Sequence, residues 1–310
     1  MESITRRGAL RMIAGATGAM GAAAVAGPGS WESASARDVP SLAPRAVISA
    51  GATLIGMSAP AAVWGQRVRE VGPGLGARRI FADLTRGPDD QVRLVEQAHA
   101  AGMLPVVSYK VGADAAGAAA GRLNAVADRA AARLASFGKA TAVAVCHEPY
   151  GDLTPAQYAA ISTQLVPIFK RGQLRVGPIL NGWLLDSKQS TFASYCPDAL
   201  FGLWNWFGID TYESGTMAAP GSYKPADRLP ALAAYLRSRG HGALPIGVGE
   251  YNGYSATSLT AVGNALFNTP NVWFGCVWNN TGPKGVVLSG ARLAAFRTTL
   301  ADPRCGGLVA

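Results

Sequence analysis

Residues 142–152 read AVAVCHEPYGD. From Ala142 to Cys146 the residues are small and apolar, in a run of strand length. The run then stops on His147, Glu148 and Pro149, with Gly151 and Asp152 close behind. A polar cluster at the end of an apolar strand has two readings. Either the chain has reached the surface and is turning, or Glu148 stands at the mouth of a barrel and moves a proton. The rest of the chain decides between them.

The same pattern recurs along the sequence. Strands are predicted at Val47–Ile55, Arg79–Leu84, Pro105–Tyr109, Ala142–His147, Arg175–Leu180, Phe207–Thr211, Pro245–Gly249 and Val272–Trp278. Each is short, apolar and bounded by Gly, Pro or Asn. Between them lie helical patterns at Pro88–Ala101, Ala115–Phe137, Ala226–Arg239, Ser258–Phe267 and Ala291–Leu300. Another helix starts at Thr154-Pro155-Ala156-Gln157, which reads as an N-cap, a first-turn proline and a capping-box glutamine. Strands alternating with helices over this length predict the α/β class and a single (β/α)8 TIM barrel. A doubly wound open sheet would want a GxGxxG turn after the first strand, and none is present.

The barrel is assigned to residues 37–310 and an export signal to residues 1–36. Arg6 and Arg7 precede a mildly apolar stretch from Ile13 to Ala26, and Ala34-Ser35-Ala36 offers a small-residue cleavage site. That order is the twin-arginine export pattern, so the chain is expected to be secreted with its mature end near Arg37. No later stretch is long and apolar enough to predict membrane insertion. The formal net charge is +9, but no Lys/Arg run interleaved with aromatics suggests nucleic-acid binding. Four cysteines form no CxxC or Cys/His set, so no metal and no cofactor is expected. Cys146 and Cys276 read as core residues. Cys196 and Cys305 fall in loop-like segments, where export would allow a disulfide. The protein is expected to act as a monomer.

In this fold the active site forms where strands end and βα loops begin. Read in order, those ends carry Asp83, then Tyr109 and Lys110, then His147 and Glu148, then Asn181 and Trp183. Asp210 and Tyr212 follow on the sixth strand, Glu250 and Asn252 on the seventh, and Trp278 on the eighth. Glu148 and Glu250 end the fourth and seventh strands, so they face each other across the mouth. Two carboxylates so placed suit glycoside hydrolysis, in which one is protonated and the other ionised. Trp183 and Trp278 end strands and can offer ring faces to sugars, whereas Trp204 and Trp273 read as packing. Of the three histidines, only His147 ends a strand. Asp210 shares a face with Tyr212 and is expected one layer deeper, holding the barrel together. Asp152 and Asp210 are the candidates for exchanged carboxylate roles. Asp83 and Lys110 either line the mouth or pair in the barrel interior.

These residues resemble the clan of retaining glycoside hydrolases built on (β/α)8 barrels. His147 directly before Glu148 resembles the family 26 enzymes, β-mannanases and related endo-β-glycanases. The continuation Pro149-Tyr150-Gly151-Asp152 differs from that family's Met-Asn-Gly. The resemblance implies Glu148 as acid/base, Glu250 as nucleophile and His147 as a contact to the reacting sugar. It also implies that Tyr212 donates to the nucleophile, holding it ionised, and that Trp278 floors the sugar. The partner is then a β-linked polysaccharide or oligosaccharide, with Asn181, Trp183, Asn252, Asp83 and Tyr109 as further contacts.

Other classes compete with this reading. A non-catalytic carbohydrate-binding barrel would keep the tryptophans without needing both glutamates. An aldolase would need a Schiff-base lysine, for which only Lys110 offers itself. A phosphate-handling isomerase would need a glycine-rich turn such as Gly282-Pro283-Lys284-Gly285.

Overall fold

The computed structural model describes residues 52–281 and 287–307. The export signal, the first residues of the predicted first strand and the Gly282–Gly285 turn lie outside these.

The strands are β1 (Leu54–Ser58), β2 (Ala77–Asp83), β3 (Leu104–Lys110), β4 (Thr141–Val145), β5 (Leu174–Val176), β6 (Ile179–Asn181), β7 (Phe207–Thr211), β8 (Ile246–Tyr251) and β9 (Val272–Trp278). All neighbours pair in parallel, in the order β5-β4-β3-β2-β1-β9-β8-β7-β6. The two ends of that order, β5 and β6, are halves of the fifth predicted strand, parted by Gly177-Pro178. β5 pairs with β4 and β6 with β7. The joint is also hydrogen-bonded on both sides: Gly177 N–H donates to Val143 O at 2.9 Å and Gly208 N–H to Pro178 O at 3.0 Å. The sheet therefore closes on itself as a (β/α)8 barrel, with the fifth stave broken where proline removes a donor.

Among the described residues the first strand is Leu54–Ser58, so it runs three residues past the predicted end at Ile55, and its predicted start at Val47 lies outside them. The predicted Ala115–Phe137 helix is two helices, Ala115–Ala119 and Asn124–Ala135. Gly121 lies between them at φ 83°, which a continuous helix cannot contain. The helix after β4 starts as expected. Thr154 and Gln157 form the capping box and Pro155 opens Pro155–Phe169.

The strands are buried on both faces. Outward residues such as Val107, Val143 and Val248 join the large cluster under the helices. Inward residues, among them Leu54, Ala77, Leu104, Val106, Ala142, Ala144 and Phe274, fill the barrel floor around Trp206 and Trp273. Gly208 and Gly247 make that floor possible, because a Cβ on either would meet the Trp206 ring at 2.7–2.8 Å. Each large side chain so buried contributes roughly 1.5–3 kcal/mol. Trp204 packs between Phe201 and Phe207, the packing role expected for it and for Trp273.

All four cysteines are free, which corrects the allowance for a disulfide. Cys196 ends the helix Gln189–Tyr195 and lies against Tyr235 Oη at 3.3 Å. Cys305 bridges to Thr53 beside β1. Among the described residues no helix is long and apolar enough to cross a membrane.

Candidate active site

Strand β2 supplies a residue that the sequence reading used only as a strand boundary. Arg79 points into the barrel and is buried. Its Nη1 donates to Ser108 Oγ of β3 at 2.5 Å. Its Nη2 lies 3.8 Å from Asp210 Oδ2, and its Nε 3.9 Å from Glu250 Oε1. Two adjacent arginines, Arg78 and Arg79, point to opposite faces of this strand, so one of them had to enter the barrel, and that was the signal that could have found it. Phe81 itself is exposed on the same face, 5.4 Å from the His147 ring and 6.1 Å from Trp278. Ser58, Phe81, Trp278 and Asn280 line a cavity of about 280 Å³ beside this group.

At the end of β4 the regular alternation breaks. Cys146 and Glu148 both take left-handed backbone, φ 53° and 47°, which is costly for residues with a Cβ. Cys146 turns into the helix-side core. Glu148 N–H donates to Ile179 O at 2.8 Å, and Glu148 Oε1 accepts from Asn181 Nδ2 at 3.3 Å. Burial raises the Glu148 carboxyl above its ordinary value, while Lys110 and Arg79 oppose the shift. His147 is pushed well below its ordinary value by burial, then by Arg79 and Lys110, so its ring is neutral. Lys110 Nζ donates to His147 O at 2.7 Å and pairs with Asp152 at 2.8 Å.

Glu250 reaches the pocket through a bulge. Ile209 pairs with Val248, but Asp210 pairs with Glu250, so Gly249 is an extra residue in β8. Without it Glu250 would follow Val248 to the helix side. Inside the barrel Glu250 Oε2 accepts from the Tyr212 hydroxyl. Burial nevertheless raises Glu250 to about 8, with Arg79 opposing it and the charge of Glu148 adding to it. The Tyr212 hydroxyl and Arg79 favour the ionised form of Glu250, while burial and the charge of Glu148 oppose it.

Asp210, the register partner of Glu250 on β7, is 1% exposed, and among the described residues neither oxygen has a hydrogen-bond partner. Burial raises it well above the ordinary carboxylate range, Glu250 adds to that and Arg79 opposes it. Tyr212 is steadied from behind by Arg228, whose Nη1 donates to Tyr212 O at 2.5 Å and whose other nitrogens clasp Asp186 at 2.5 and 2.8 Å.

The structure therefore brings together Glu148, Glu250, His147, Tyr212, Asn181 and Trp278, and adds Arg79, Asp210, Lys110 and Phe81. Trp183 stands at the rim, 38% exposed and edge-on to Tyr150 at 5.3 Å. Three expected contacts are elsewhere. Tyr109 is a correction: Ser108 and Lys110 point inward, so its ring points outward and stacks on Phe169 at 5.0 Å. Asn252 is buried and accepts from Glu213 N–H at 2.6 Å, tying the loop after β7 to that after β8. Asp83 caps the turn that follows β2, accepting from Thr85 N–H at 2.9 Å and Thr85 Oγ1 at 2.7 Å.

No family model and no curated protein matches this sequence. Its fold is that of glycosidase barrels. A fungal β-1,4-galactanase superposes with a TM-score of 0.59 at 14% identity, over 81% of this chain and 99% of the galactanase. The Podospora anserina GH26-CBM35 β-(1,4)-mannanase gives 0.56 at 14% identity, over 83% of this chain and 62% of the mannanase. XacCel5A, solved with cellopentaose, gives 0.55 at 15% identity, over 80% of this chain and 99% of its own. In architecture the chain is a glycosidase-like (β/α)8 barrel.

Proposed function

We propose that this protein is a retaining glycoside hydrolase acting on β-linked polysaccharide or oligosaccharide, of the endo-β-glycanase or β-mannanase kind. One observation carries the reading. Two glutamates from opposite sides of the barrel mouth come together at its centre, each with its own donor, Asn181 for Glu148 and Tyr212 for Glu250. The charge of one raises the pKa of the other.

In this mechanism Glu148, its pKa raised by burial, gives its proton to the glycosidic oxygen as that bond breaks. Glu250 attacks the anomeric carbon as a carboxylate and forms a glycosyl ester. Glu148, now ionised, takes a proton from water, which then displaces Glu250. Tyr212 and Arg79 both favour the anionic Glu250 that the first displacement needs and the second restores. Trp278, Phe81 and neutral His147 wall the reacting sugar. Export by the twin-arginine route belongs to the same proposal and rests on Arg6, Arg7 and the small-residue site ending at Ala36.

The test is product release from β-mannan, β-glucan and xylan, comparing the wild type with Glu148→Gln and Glu250→Gln. Cutting of one glycan that both variants abolish, with the product first formed in the substrate's anomeric configuration, is the expected result. Undiminished activity in both variants would remove the pair from the mechanism. Binding without cutting would assign the barrel to carbohydrate recognition alone.

A further inference from the structure

We propose that Trp183, Tyr150 and Lys188 form the leaving-group side of this pocket and select a sugar that carries a carboxylate, a uronic acid residue. The inference deepens the glycosidase reading and rests on it.

Position comes first. The Asn181 amide joins this group to the acid. Its Nδ2 donates to Glu148 Oε1 at 3.3 Å, and its Oδ1 accepts from Tyr150 N–H at 3.0 Å. Tyr150 is therefore one side-chain amide away from the carboxyl that protonates the departing oxygen. The opposite side of the pocket is already walled by Phe81, His147 and Trp278.

Chemistry comes second. Trp183 is one of few large apolar side chains left exposed, and a ring face open at a pocket rim suits a pyranose. The ammonium of Lys188 stands over both rings, 5.2 Å from the Trp183 centroid and 5.5 Å from that of Tyr150. Among the described residues its one hydrogen bond is to Tyr150 Oη, at 3.4 Å. The nearby carboxylates are committed elsewhere: Asp186 is clasped by Arg228 and Asp152 is paired with Lys110. Among the described residues Lys188 has no ion-pair partner, so one positive charge is left beside an open aromatic platform. A lysine that merely packed its stem on the rings would not need the indole to stay open. A sugar lying on these rings has its substituents within reach of the ammonium, and a carboxylate among them, the C6 group of a uronic acid, would complete the pair. A partly exposed pair of this kind supports a preference of about fivefold at low salt, screened as salt rises.

The experiment is calorimetric titration of the Glu148→Gln/Glu250→Gln double variant, which binds without turnover. Four hexasaccharides are used in two matched pairs: β-1,4-mannuronan with β-1,4-mannan, and β-1,4-glucuronan with cellohexaose. Within a pair only C6 differs. The proposal expects the acidic member of at least one pair to bind about fivefold more tightly. It expects that ratio to collapse towards one when Lys188→Gln is added or salt is raised to about 0.5 M, and Trp183→Ala to weaken both members. Equal binding within both pairs, a ratio unmoved by Lys188→Gln, or no binding at all would overturn it. Wild-type cleavage separates the two claims. Neutral glycans cut with no acidic preference would sink the subsite and leave the glycosidase, whereas Lys188-dependent uronate binding without any cutting would sink the glycosidase and leave the subsite.

Discussion

Tyr212 and Glu250 meet only because β7 and β8 are out of step by one residue. Gly249 is the extra residue, and it turns Glu250 from the helix side into the barrel, where the Tyr212 hydroxyl donates to it. The site's most consequential contact thus depends on a backbone irregularity rather than on strand alternation.

Removing that donor changes a pH profile. A hydrogen bond to the ionised carboxylate favours it, so Tyr212→Phe raises the Glu250 pKa beyond about 8. The acid limb of kcat/KM then moves to higher pH. A one-unit move lowers the rate about tenfold on that limb, and the two profiles converge at alkaline pH. A loss equal at every pH would mean that Tyr212 acts by shape alone.

Asp210 links the site to stability. Its pKa is raised in the folded state, so from about pH 4 upward the unfolded chain sheds a proton that the folded chain keeps. The stability contributed by this group is full below that pH and is lost as pH rises towards the folded value. Asp210→Asn removes the titration. Its Tm relative to wild type is expected to be more favourable at pH 8 than at pH 5, and scanning calorimetry at both values reads the difference. An identical difference at the two values would show an ordinary carboxylate.

Gly249 admits no side chain. A Cβ there would lie 2.4 Å from Asp210 Oδ1 and 2.8 Å from Ile179 Cδ1. Gly249→Ala is expected to cost about 1–3 kcal/mol in urea unfolding and to lower kcat by shifting Glu250. Wild-type stability in this variant would mean that the bulge relaxes freely.

Tyr109 tests the corrected assignment. Buried against Phe169 on the helix side, it is expected to serve packing alone. Tyr109→Leu should lose about 1–3 kcal/mol of stability while KM stays at the wild-type value. A raised KM in the folded variant would return Tyr109 to the site.

Much of this was written locally in the chain. Short apolar runs punctuated by Gly, Pro and Asn marked the staves, the Thr154–Gln157 capping box marked the helix after β4, and the polar ends of β4 and β8 marked Glu148 and Glu250. These signals are local because turn geometry, capping and burial act within a few residues. What alternation could not say was which side of each strand faced inward, because both faces of a barrel strand are buried. Tyr109 and its neighbour Ser108 lie on opposite faces of β3, and that parity placed Tyr109 under a helix. Left-handed backbone at Cys146 and Glu148, the extra Gly249, the split at Gly177-Pro178 and the junction of Arg79 with Asp210 and Glu250 were not legible in the pattern either. Closure sets strands far apart in sequence against one another, and only that contact decides which charges share one pocket.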